Sequence, residues 1–203
     1  MRIMALLANI AIVVFELYTL WHLRKKTDVL KYYTYLQNLI ALATRLVFSV
    51  FLIIDLASNC AIPEFAKGLR YVATCGLCAT TLIFVLFLGA GKKVAMTEND
   101  FLPGCKPNVA NIILHYICPI LSLVSFVCFE RNIELNNGIW TALVAIPSCA
   151  YWATYGVLSA TKSWDEPYNF TSNEKKHAIL DWLPFVAIPI LFIALSFVLW
   201  NVK

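Results

Sequence analysis

Six long apolar runs alternate with short polar connectors along the chain, at residues 3–21, 32–54, 69–90, 109–129, 139–160 and 179–200. A bilayer core about 30 Å thick is crossed by roughly 20 residues of α-helix, so each run has the length of one crossing. The pattern predicts an all-α fold, a polytopic bundle of six transmembrane helices forming a single domain over residues 1–203. The first run is long for the apolar stretch of a signal peptide, its basic cluster follows it, and no small-residue cleavage site comes after. It therefore reads as a span.

Composition agrees with lipid as the solvent. Of 203 residues, 61% are hydrophobic and 14% charged, against about 25% charged in a soluble domain. The net charge of +4 comes without any basic patch interleaved with aromatics, which argues against a nucleic-acid partner. Seven cysteines at irregular spacing make neither a disulfide framework nor a zinc pattern, and Cys75 and Cys78 read as small packing residues. No metal and no cofactor is expected.

The connectors carry a charge bias that predicts orientation. Arg24, Lys25, Lys26, Lys31, Lys92, Lys93, Lys106, Lys162, Lys175 and Lys176 fall on connectors one, three and five, whereas Arg2, Lys67, Arg70, Arg131 and Lys203 fall on the other side. Positive residues favour the cytoplasm, so connectors one, three and five are expected there, with both termini outside. The expected location is an integral, multi-pass membrane protein, in the plasma membrane of a bacterium or an endomembrane of a eukaryote.

Polar groups inside hydrocarbon are costly, and their placement points to function. Counted from the end bearing connectors one, three and five, at about 1.5 Å per residue, Glu16 lies roughly 9 Å deep, Thr34 about 5 Å, His115 and Tyr155 about 10 Å, and Asp181 about 6 Å. Five spans thus place a polar group in one layer, the opposite half looks poorer, and a polar cavity open toward one leaflet is the expectation. Thr34, Asn38 and Arg45 share one helical face with Gln37 beside it; Asn111, His115, Cys118 and Ser122 share another. Pro119 follows His115 by four residues and frees a carbonyl at that depth.

These residue types fit acyl chemistry. A threonine hydroxyl needs a neighbouring base, histidine is the usual one, and a third group orients the ring. Thr34 and His115 are the candidate pair, with Glu16, Asp181, Asn111 and Tyr155 as candidate supporters of the imidazole. Asn38 is a candidate oxyanion donor, and Arg45 a candidate for a substrate carboxylate or phosphate. Plainer roles exist for each. Thr34 can bond its own backbone, His115 can make a structural interhelical bond, and Arg45 can serve as charge partner of Glu16. Glu16 and Asp181 can be helix-end residues. Trp21, Tyr32, Tyr33 and Trp200 read as interfacial aromatics.

Three segments resemble a known family. Tyr32-Tyr33-Thr34-Tyr35-Leu36-Gln37-Asn38-Leu39 is similar to the aromatic-flanked threonine segment of the androgen-induced-gene and androgen-dependent TFPI-regulating protein family and its uncharacterised bacterial six-helix relatives. Leu114-His115-Tyr116-Ile117-Cys118-Pro119-Ile120-Leu121 resembles its histidine segment, preceded by a matching Asn99–Gly104 approach. Trp164, Pro167, Tyr168 and Phe170 match its Trp…Tyr-Pro-Phe motif only in part. The resemblance implies a membrane hydrolase with Thr34 as nucleophile and His115 as base, acting on fatty-acid esters of hydroxy fatty acids, although a related family of the same architecture transfers acyl groups. The expected function is therefore a membrane-embedded lipid ester hydrolase whose partners are an acyl-ester substrate and membrane lipids. The alternative is a small-molecule transporter or ligand-binding protein using the same polar cavity.

Overall fold

The computed structural model describes residues 1–23, 32–87, 107–131, 133–163 and 178–202. These residues form six helical rods and no strand. The first three rods are single helices: α1 (Arg2–Leu23), α2 (Tyr33–Ser58) and α3 (Glu64–Phe87). The fourth rod joins α4 (Pro107–Ile112), a π-helical turn at Ile113–Ile117, α5 (Cys118–Val124) and a second π-helical turn at Ser125–Phe129. The fifth comprises α6 (Ile139–Leu143) and α7 (Ala145–Ala160), and the sixth is α8 (Ala178–Val202). Five rods are long and apolar enough to cross a membrane by their described residues, and helices satisfy their own main-chain groups, as lipid demands. The protein is an all-helical membrane bundle.

The expected spans agree with the rods, with one consequential difference. The third begins at Glu64 rather than residue 69, so Arg70 lies more than a turn inside it. The fifth rod is interrupted at Val144 because Pro147 has no N–H for the Leu143 carbonyl. Pro184 and Pro189 do not break α8.

α1, α2, α3 and the fourth rod enclose a common interior. α2 packs against α1 and α3, and α5 packs against the same two helices, so α2 and the fourth rod face each other across the middle. α7 and α8 pair outside this set, with α8 resting on α3. An aromatic cluster closes that seam: Tyr33 packs against Tyr151, Trp152 and Phe192 at centroid distances of 4.9, 5.9 and 5.7 Å. Two glycines permit close approach along α3. A Cβ on Gly68 would lie 2.0 Å from the Trp140 indole of α6, and one on Gly76 would lie 1.8 Å from Gln37 Nε2 of α2.

Candidate functional site

Register follows from a few bonds. Arg2 meets Asp55 at 3.1 Å and Arg45 Nη1 donates to Asn9 Oδ1 at 3.3 Å, so α1 and α2 run antiparallel with Glu16 level with Asn38. Gly76 against Gln37 puts Thr34 level with about Ala79 and Thr80 on α3. The Thr81 hydroxyl donates to the His115 carbonyl at 2.6 Å. Thr34 and His115 therefore come to one level, on helices that face each other across the interior.

At the Asp55 end the interior holds a polar network centred on Glu130, in which Arg45 Nε and Arg70 Nε stay without a partner among the described residues. Glu130 Oε1 accepts from Arg70 Nη2 at 2.9 Å, Ser125 Oγ at 2.6 Å and Asn9 Nδ2 at 3.1 Å. Ser122 ties the two arginines together, its hydroxyl accepting from Arg45 Nη2 at 2.6 Å and Arg70 Nη1 at 3.1 Å. Thr74 adds a short contact to Arg70. Arg70 and Glu130 are each 1% exposed. The second π-helical turn makes this possible: the Glu130 N–H reaches back five residues to the Ser125 carbonyl, which aligns the two side chains.

This corrects the expectation that the half of the bundle opposite the Thr34 end is poorer in polar groups. In the sequence Arg70 stands at the second position of the expected span 69–90 and counts only toward the charge of the outer side, and Glu130 falls one residue beyond the span 109–129. The only signal of their burial was that each lies on the rod's buried face, which register alone reveals. Arg45 belongs to this network. Among the described residues its guanidinium has no carboxylate partner, and its contacts are the neutral Asn9 and Ser122.

At the Thr34 end the polar atoms are left open. Glu16 is wholly buried and, among the described residues, neither carboxylate oxygen has a hydrogen-bond partner. Asn38 is also wholly buried, its Nδ2 donating to the Thr34 carbonyl at 2.7 Å while Oδ1 has no partner. It thus offers the interior an acceptor, contrary to the oxyanion role expected of it. Gln37 supplies the opposite polarity: its Oε1 accepts from Tyr33 at 3.2 Å and its buried Nε2 is unpartnered. Sequence reading placed Gln37 beside the stripe without assigning it a role.

His115 sits in the first π-helical turn, 5% exposed, its ring stacked on Phe84 at 3.9 Å. Pro119 explains the turn. It cannot bond the carbonyl four residues back, which is that of His115, and Thr81 takes that carbonyl instead. Among the described residues His115 Nδ1 has no hydrogen-bond partner, Thr34 included. Thr34 itself is half-buried in the first turn of α2.

The remaining expected residues separate. Asn111 is half-buried one turn before His115 on the same rod. Tyr155 is buried in the aromatic seam of α7 and α8, packed on Tyr151 and Trp152, in one apolar cluster with Tyr33 of α2 and Cys75 and Ala79 of α3. Asp181 lies in α8, its side chain outside the described residues, as are Trp164, Pro167, Tyr168 and Phe170. Among the described residues, then, Glu16, Asn38, Arg45 and His115 are buried between the four rods, and Thr34 is half-buried one turn before Asn38. Comparison of the chain with family models, curated proteins and solved structures found no match.

Proposed function

We propose that the protein is an intramembrane lipid ester hydrolase in which Thr34 is the nucleophile and His115 its base. The observation that carries this reading is the common level of a half-buried threonine and a buried histidine whose Nδ1 is uncommitted. Nδ1 takes the Thr34 proton as Oγ1 bonds to the ester carbonyl carbon. The tetrahedral adduct then collapses, the C–O bond to the alcohol breaks, and the alcohol leaves with the proton from His115. Water attacks the acyl-threonine, gives its proton to His115, and the fatty acid departs as the threonine is restored. Gln37 Nε2, a buried donor without a partner one turn from Thr34, is suited to the oxyanion. Surroundings free of bulk water strengthen each of these interactions.

The substrate class supported by the family-like segments is a fatty-acid ester of a hydroxy fatty acid or a similar acyl lipid. The charge bias of the connectors supports a site opening to the cytoplasmic leaflet, which thiol labelling of Thr161→Cys from either side of sealed vesicles tests. For the chemistry, Thr34→Ala and His115→Ala are treated with a fluorophosphonate probe after folding is checked by gel filtration and circular dichroism. Each is expected to lose labelling by about a hundredfold or more. If both folded variants label like the wild type, the hydrolase reading is lost.

A second reading, transport or binding of a small polar ligand, is favoured by Glu16, whose wholly buried carboxyl has no donor. Flux in proteoliposomes without ester turnover would select it.

A further inference from the structure

The seam in which Arg45 meets Asn9 presents a second pair of polar residues two turns further along. Arg45 Nη1 donates to Asn9 Oδ1 across the antiparallel pair α1 and α2. Glu16 stands seven residues after Asn9, and Asn38 seven residues before Arg45. Seven residues are close to two full turns of an α-helix, so both return to the faces that meet at Asn9 and Arg45. Glu16 and Asn38 are each 0% exposed. Between the two pairs lie Ile12 and Ala41, wholly buried in one apolar cluster with Leu77 and Cys118. That layer separates Glu16 and Asn38 from the Glu130 network.

The two pairs differ in what they offer. Arg45 donates and Asn9 accepts, so the first pair meets its own needs. In the second, Glu16 Oε1, Glu16 Oε2 and Asn38 Oδ1 have no partner among the described residues, and all three are acceptors. The Asn38 amide nitrogen is already engaged with the Thr34 carbonyl at 2.7 Å. Whatever completes this pair therefore brings donors. Arg45 bonds only to the neutral Asn9 and Ser122, and its positive charge stands two turns from Glu16. It opposes a further cation there but not a neutral hydroxyl.

We propose that Glu16 and Asn38 bind free hydroxyls on the alcohol portion of the ester, and that the substrate is a monoester of a polyhydroxy alcohol such as glycerol. The inference rests on the hydrolase reading for the place of the ester, and it narrows the acyl lipids which that reading admits. Length agrees with it. Asn38 lies one turn beyond Thr34, about 5.4 Å along the rod. The two free hydroxyl oxygens of a glycerol 1-monoester lie four and five bonds from the ester carbonyl carbon, roughly 5–6 Å at about 1.2 Å per extended bond. An alcohol portion ending in an ionised carboxylate would meet like charge at Glu16 instead.

The test uses the full-length protein in lipid nanodiscs with three esters of one fatty acid: the glycerol monoester, the same ester with both hydroxyls methylated, and an ester of a hydroxy fatty acid. Methylation removes the donors and keeps the length. The glycerol monoester is expected to exceed its dimethyl ether in kcat/KM by about tenfold to a hundredfold, and to exceed the hydroxy-fatty-acid ester as well. Glu16→Leu should bring the first two esters within about threefold of each other, with Glu16→Gln, which keeps one acceptor, in between. The wild type alone decides the matter if a variant fails to fold: equal turnover of the glycerol ester and its dimethyl ether would mean that water meets the acceptors, and would overturn the proposal. Binding is read separately with a 1-O-alkylglycerol, an ether that ester hydrolysis does not cleave, carrying a diazirine in its chain. Its label on peptides of α1 and α2 should be displaced by unlabelled alkylglycerol, much less by the dimethyl ether, and should be lost in Glu16→Leu. Such labelling without ester turnover would sink the hydrolase reading and leave the hydroxyl site. Turnover that depends on Thr34 and His115 but is indifferent to the hydroxyls and to Glu16 would sink the hydroxyl site and leave the hydrolase reading.

Discussion

Two ends of one interior treat their polar groups in opposite ways. At the Asp55 end a single oxygen, Glu130 Oε1, takes donors from three residues on three different rods. At the Thr34 end Glu16, Asn38, Gln37 and His115 each carry a buried atom with no partner among the described residues, whereas at the Asp55 end the unpartnered atoms are the guanidinium Nε of Arg45 and of Arg70. Buried polar groups are ordinarily satisfied, and exceptions call for an explanation such as a catalytic or binding role. The first end therefore fixes the relative placement of α1, α2, α3 and the fourth rod. The second uses that fixed frame to hold groups whose partners come from outside the chain. Both ends are built with a π-helical turn, but the turn at Ser125 brings a donor to an acceptor, whereas the turn at Ile113 leaves His115 Nδ1 free.

The largest effect should come from breaking the Glu130 network. Glu130→Ala leaves Arg70 buried without its carboxylate and is expected to cost about 3–5 kcal/mol of stability. In contrast, the double change Arg70→Met with Glu130→Leu should recover much of that loss. Unfolding in mixed micelles by increasing denaturing detergent reads both. A Glu130→Ala protein as stable as the wild type would mean the network does not hold the rods together.

Next comes the helix contact that supports the frame. Gly68→Ala drives a Cβ into the rigid Trp140 indole and should cost about 1–3 kcal/mol. Gly76→Ala meets only the far end of the Gln37 side chain. It should cost less in stability yet lower probe labelling, because it displaces the free Nε2. If both variants lose stability equally and label equally, Gln37 has no part in the chemistry.

The open end should behave the other way. Glu16→Gln removes a buried carboxyl that has no donor, so a stability gain of about 1 kcal/mol is expected with a fall in activity, the pattern of a site that sacrifices stability for function. A clear loss of stability in Glu16→Gln would show that the carboxyl already has a structural partner and would erase the contrast between the ends.

The six rods were legible in the chain because each is a run of apolar residues of bilayer length, and lipid makes length and composition nearly sufficient. The role of Pro119 was legible for a similar reason, since one missing N–H names the carbonyl it frees. The common level of Thr34 and His115 was legible as depth, though their contact was not. Arg70 and Glu130 were not legible, because a charge at the edge of an apolar run looks the same whether the helix ends before it or carries it inward. In Glu130 the deciding feature is a bond across five residues instead of four, which the residue types do not announce. Tyr155 shows what depth leaves out: it is buried in an aromatic cluster on α7, and depth contains no information about which helices are neighbours.

The smallest expected effect tests whether burial, rather than position at one end, is what separates the two regions. Arg2 and Asp55 form an ion pair at 3.1 Å at the same end as the Glu130 network, but the Arg2 side chain is 45% exposed. Water and salt screen such a pair, and the arginine has freedom to lose in forming it, so Arg2→Ala is expected to cost only about 0.5 kcal/mol. Raising the ionic strength from low to about 1 M should remove most of that difference while leaving the Glu130→Ala loss nearly unchanged, because the screening length falls to about 3 Å only where ions can enter. If Arg2→Ala instead proved as damaging as Glu130→Ala and indifferent to salt, the Asp55 end would be one continuous electrostatic unit, and the distinction would rest on place in the fold rather than on exclusion of water.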